Sequence, residues 1–183
     1  MKNNKTRFIT YTAVLLALLL GVQFLTQSFS QFVTGSLVNL ILLVSVFIVG
    51  IGSGLIIGLV SPFLAFFVGI GPAFIQITPF MAIANIILVS IASLVRKYIA
   101  KGNKKDVLIT GAGLVTAAIA KTTFFWVGLV LIALPLIPGI NEKQLAVIST
   151  AFTWPQLVTA LIGSTLAMII VPLLKKALKA GTT

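Results

Sequence analysis

The chain contains no cysteine and no histidine, and its 183 residues include only two acids, Asp106 and Glu142. Without thiols or imidazoles it has no side chains for disulfides, for thiol or imidazole catalysis, or for the usual zinc and haem ligation. Two carboxylates are too few for a calcium cage and argue against a two-acid hydrolase. No catalytic set is present, and no metal or cofactor is expected. The chain is therefore not expected to be an enzyme.

What it does have is apolar surface. Hydrophobic residues make up 59% of the sequence and the mean hydropathy is +1.20. A soluble domain of this size could not hide that much apolar area, so the solvent must be lipid. The expected fold is an all-α integral membrane protein, organised as one domain over residues 1–183. The net charge of +11 lies on the flanks of apolar runs, at Lys2, Lys5 and Arg7, at Arg96 to Lys105, and at Lys175 to Lys179. Positive charge there sets topology and meets lipid headgroups, and gives no indication of nucleic acid binding.

Six transmembrane helices are predicted, at 8–25, 37–51, 54–70, 79–95, 107–135 and 145–174. The first run is longer than the 7–15 or so residues of a signal-peptide core, and is read as a span. Residues 26–36 are polar but uncharged and read as a first external loop, with further external loops at 71–78 and 135–144. The second and third spans divide at Gly50, Gly52 and Gly54; a single helix of about 34 apolar residues would cross the membrane nearly twice. Glycines 50, 54 and 58 form a ridge for close helix contact. Pro155 is expected to kink the last span. Eleven of the thirteen basic residues fall at the two termini and in the 96–105 connection. Six spans with both termini cytoplasmic satisfy the positive-inside rule at every strongly charged connection.

The fifth span carries a lysine at its centre, Lys121. An ammonium there costs roughly 2.5–3.5 kcal/mol on insertion scales, and such residues usually face a wet cavity or the protein interior. Both acids lie near predicted membrane boundaries, so its partner is a ligand, another subunit, or backbone carbonyls and water. Ala120-Lys121-Thr122 superficially matches the end of a phosphate-binding loop, but Val115 and Ala120 stand where glycines are required. Measured along ideal helices, Asn85 lies roughly 9 Å, Gln156 roughly 16 Å and Lys121 roughly 21 Å below the external ends of their spans. Trp126 and Trp154 fall at similar depths. These residues can build an outward-facing pocket with one cation, two amides and aromatic walls. Asn85 and Gln156 can equally serve as hydrogen-bonded helix bridges, and Trp126 can face lipid.

Six spans, cytoplasmic ends and an uncharged first external loop resemble the substrate-binding S components of energy-coupling factor (ECF) vitamin transporters. Ala13-Val14-Leu15-Leu16-Ala17 in the first span resembles that family's Ala-x-x-x-Ala motif, through which the helix packs on the coupling transmembrane subunit. Two alanines four apart make a flat strip for another helix. The resemblance implies a multi-pass protein of a prokaryotic cell membrane that binds a vitamin or related micronutrient from outside. It also implies toppling against the coupling subunit, driven by two cytoplasmic ABC ATPases. By position, Phe29, Gln31 and Phe32 would form a lid, and Gln76, Asn85, Lys121, Trp126, Trp154 and Gln156 the site. Ala13 and Ala17 would meet the coupling subunit. The rival readings are a solitary secondary transporter, which would need acids for cation coupling, and a structural or regulatory subunit whose partner supplies an acid to Lys121.

Overall fold

The computed structural model describes residues 2–99 and 103–180; Lys101, counted above in the basic connection, lies outside them. All regular elements among the described residues are helical. They run α1 (Lys2–Thr26), α2 (Gln31–Val44, continued by a π-helical turn to Val49), α3 (Ile51–Phe67), α4 (Thr78–Leu94), α5 (Lys104–Phe124, continued in π form to Ala133), α6 (Glu142–Ala151) and α7 (Trp154–Ala180). In lipid the backbone must satisfy its own hydrogen bonds, and helices built from these apolar runs do so. Five stretches are long and apolar enough to cross a membrane, and the apolar α3 is shorter, at 17 residues.

Local chemistry sets the helix ends. Asn103 Oδ1 accepts from the Asp106 amide at 2.8 Å, and Asp106 sits where the positive end of the α5 dipole favours an acid. Asn141 and Gln144 form a reciprocal capping box that starts α6. Pro79 occupies the first turn of α4, where its missing N–H costs nothing. Gly50, at φ 141°, makes the turn between α2 and α3, so residues 37–70 form two helices and not one bent helix.

The helices close into a ring. α1 packs on α2 and α3, α3 on α4, α4 on α5, α5 on α7, and α7 returns to α2. Two apolar clusters fill it. The larger joins Leu19, Leu42, Ile57, Leu88, Leu114 and Val171, one from each of six helices, toward the end that carries Arg96 and Lys175. The smaller gathers Ile77, Ala84, Phe125, Leu129 and Leu134 near the other end. Along α5, Lys121 falls between Leu114 of the first cluster and Phe125 of the second.

Two expectations need correction. The first connection is not a loop over 26–36, because α2 already begins at Gln31. Polar residues there are not loop residues: Ser36 is buried, and Thr34 Oγ1 donates to Thr26 O on α1 at 2.9 Å. The last span is not one kinked helix over 145–174. It is two helices, α6 and α7, separated at Phe152 and Thr153. Pro155 is the second residue of α7, so it opens that helix and does not bend it.

Candidate functional site

The ammonium of Lys121 is buried, with 3% of its surface exposed, and donates to two side-chain carbonyls. Its Nζ lies 2.7 Å from Asn39 Oδ1 on α2 and 3.0 Å from Asn85 Oδ1 on α4. Each asparagine is oriented by what its own amide nitrogen holds. Asn39 Nδ2 donates to Thr159 Oγ1 on α7 at 3.4 Å, and that hydroxyl donates onward to Gln156 O at 3.1 Å. Asn85 Nδ2 donates to Gly58 O on α3 at 3.4 Å. These contacts hold each amide with its oxygen toward the lysine. Five helices are tied together at this level.

Two prolines supply acceptors for this network. In an α-helix the N–H of residue 62 would bond to the carbonyl of residue 58, and a proline at 62 removes that donor. Pro62 lies inside α3, so Gly58 O lacks its usual i+4 donor, and Asn85 bonds to it. Pro155 has the same relation to Ala151, at the end of α6. Ala151 O is taken by two glutamine amides, Gln31 Nε2 at 2.6 Å and Gln156 Nε2 at 3.2 Å. Gln31 thereby binds the start of α2 to the α6–α7 break. Close approach of the helices depends on small residues. A Cβ on Gly163 would stand 2.7 Å from Asn39 Cβ, and one on Gly58 would stand 3.3 Å from Asn85 Cβ.

These groups line a cavity of about 420 Å³, within the usual range for small-molecule sites. It runs from Phe29 at the rim, 63% exposed, to Lys121 in the bundle interior. Among the described residues Lys121 is its only charged lining residue, and four glutamines, at positions 23, 27, 31 and 156, carry much of its polarity. Phe125 forms a wall, its ring centroid 5.9 Å from Lys121 Nζ. Chemically the site offers one fixed cation, amide dipoles and an apolar wall. Among the described residues it holds no acid–base pair.

Of the residues singled out in the sequence, the structure brings Lys121, Asn85, Gln156 and Phe29 to this cavity, with Gln31 beside them. Gln76, Phe32, Trp126 and Trp154 do not line it. Gln76 is exposed on the short 3₁₀ turn Ile75–Ile77. Trp126 follows Phe125 directly; Phe125 takes the inward position, and Trp126 is left 52% exposed. Trp154 is 59% exposed at the α6–α7 break, where its ring packs against Phe32 at 5.6 Å. Asn39 was not among the expected site residues. Its signal was the one that marked Asn85, a lone asparagine inside an apolar run. Ala13 and Ala17 are exposed on α1, away from the cavity lining.

Comparison with curated proteins and with solved structures gives no significant match. A family model described as ECF transporter, substrate-specific component, matches residues 8–175. That match takes in every helix that builds the cavity. This multi-pass membrane protein therefore belongs to the substrate-specific components of ECF transporters, which are transport subunits and not catalysts.

Proposed function

We propose that the chain captures a vitamin or related micronutrient from the outside and delivers it by toppling against a coupling transmembrane subunit powered by two ABC ATPases. The observation that carries the reading is the cavity built around Lys121, with Asn39, Asn85, Gln156 and Phe29 as the residues that would touch the ligand. Orientation follows from charge. Counting α3 with the five longer stretches gives six crossings, and 17 residues reach the lower limit for a span. Both termini and the connection after α4 then fall on one side, and their basic residues make that side cytoplasmic. The cavity opens at the opposite end.

α1 supports the coupling half of the reading. Only 11% of its span is buried, against 50% for Gln31–Val49. Ala13, Val14, Ala17 and Leu18 form an exposed, flat apolar strip on it. A strip of that kind suits another helix laid along it.

Pull-down of the tagged protein from its source membranes in mild detergent tests the assignment. Two ABC-type ATPases and a second membrane subunit should be recovered, and Ala13→Trp or Ala17→Trp should lose all three while ligand binding by the purified subunit is unchanged. Recovery of a folded protein alone would overturn the reading. Loss of binding in the tryptophan variants would place α1 in the pocket and not at an interface.

A further inference from the structure

We infer that the molecule bound in the cavity is a small polar organic monoanion that carries N–H or O–H donors at the end remote from its charge. The inference rests on the cavity being the substrate site, as proposed above, and follows from an inventory of which groups there are already committed.

The deep end comes first. An ammonium has three N–H donors. Two are taken by Asn39 Oδ1 and Asn85 Oδ1, which leaves one for an occupant. Both protein partners are neutral amides, and among the described residues no acid lines the cavity. The lysine is thus held in place without being neutralised. A buried charge with no counter-charge is costly, and an anionic occupant removes that cost. A cation would meet repulsion from Lys121 and no compensating carboxylate. One remaining donor matches one oxygen of a carboxylate or of an ionised ring amide. It does not match a phosphate, which is usually held by several donors at once.

The rim offers acceptors. The amide nitrogens of Gln31 and Gln156 each donate one N–H to Ala151 O, which fixes both side chains and leaves each a carbonyl oxygen and one further N–H for an occupant. Gln23 also lines the cavity, and its Oε1 is buried without a hydrogen-bond partner. Unmet acceptors of this kind call for donors. The map has a cationic donor at the bottom and acceptors toward the mouth. An occupant must match it with acceptor charge below and N–H or O–H above. A fatty acid would satisfy the lower half and leave the glutamines unmet.

The test uses the purified subunit in detergent and native mass spectrometry. A cell extract is divided by ion exchange at pH 7 into anionic, neutral and cationic small-molecule pools, with decanoate as a lipid carboxylate in a fourth arm. The anionic pool should yield a retained adduct on the wild-type protein, and Lys121→Met should weaken its retention about tenfold or more. Gln23→Leu should weaken it several-fold. An adduct drawn only from the neutral or cationic pool would overturn the monoanion and leave the binding function standing. Preferential retention of decanoate would overturn the donor-bearing end. No adduct from any arm would overturn both the inference and the proposed function. Because the pools are compared on the wild type, the result does not depend on whether Lys121→Met folds.

Discussion

The two ends of the bundle are made by the same helices under different rules. Toward the basic end, side chains close on one another: Val46 and Val89 press on Gly54, and Val95 on Gly113. Toward the other end the helices are interrupted, by Pro62 within α3 and by the break before Pro155, and a cavity remains between them. The dense half holds itself by shape. The hollow half holds itself by a connected set of amides, in which the carbonyls freed by Pro62 and Pro155 are met by side chains of other helices. Proline is costly inside a helix because it orphans a carbonyl. Here that orphan is what aims Asn85 at Lys121, so the interruption becomes part of the site.

The sharpest way to break the comparison is to add volume to the dense half. A Cβ on Gly54 would lie 2.5 Å from Val46 Cγ2 and 2.8 Å from Val89 Cγ1. Gly54→Leu should therefore cost about 3 kcal/mol or more by overpacking. The readout is loss of the monodisperse peak in size-exclusion chromatography and a lower unfolding temperature in detergent. A variant as stable as the parent would mean that α2, α3 and α4 can slide apart, and that the dense half is not close-packed.

A smaller effect is expected in the hollow half, and there the pattern matters more than the size. Asn39→Leu leaves the ammonium with one protein acceptor, and Lys121→Met leaves two carbonyls facing each other. Each should cost about 1–3 kcal/mol. Combined, they remove both members of one contact and should cost less than the sum of the singles, by about 1 kcal/mol or more. Thermal unfolding of the four proteins measures the cycle. Simple additivity would show that the contact between Nζ and Asn39 Oδ1 carries no energy of its own, and that this half is organised around something else.

Much of this contrast was legible in the sequence, and what was missed has a physical cause. Lys121 and Asn85 stand out because a charge or an amide in an apolar run is costly without a partner. Asn39 carries the same signal, but the sequence does not show which face α2 turns inward. Helices in lipid are apolar all round, which removes the polar stripe that marks the outer face of a soluble helix. The same loss of contrast placed Trp126 and Trp154 at the site: an aromatic ring suits lipid as well as a pocket wall. Residues 31–36 were read as loop because they are polar, yet their polarity faces α1, the end of α6 and the cavity. Pro155 stood out in the sequence, but as a kink in one span and not as the start of α7. That Gln31, 120 positions from Ala151, would take the carbonyl this proline frees was not legible.

Trp126 gives the comparison its finest test, because it sits one residue beyond Phe125 and on the other side of the wall. Phe125 is 2% exposed and lines the cavity, whereas Trp126 is 52% exposed and does not. Trp126→Leu exchanges one lipid-compatible apolar group for another, so stability should change by less than about 0.5 kcal/mol. Binding by the purified subunit should stay within about twofold of the parent, since no hydrogen bond or cavity surface is removed. Phe125→Leu should move binding further, because it shortens the wall that stands over Lys121 Nζ. Titration of both variants against the parent, with the retained anion as probe, decides between two pictures of α5. If Trp126→Leu loses affinity tenfold while Phe125→Leu does not, the helix must turn when the site fills. The π-helical stretch that begins at Phe125, a form frequent at functional sites, is the element placed to make that turn. If Phe125→Leu alone responds, the wall seen here is the wall the ligand meets, and the hollow half is preformed.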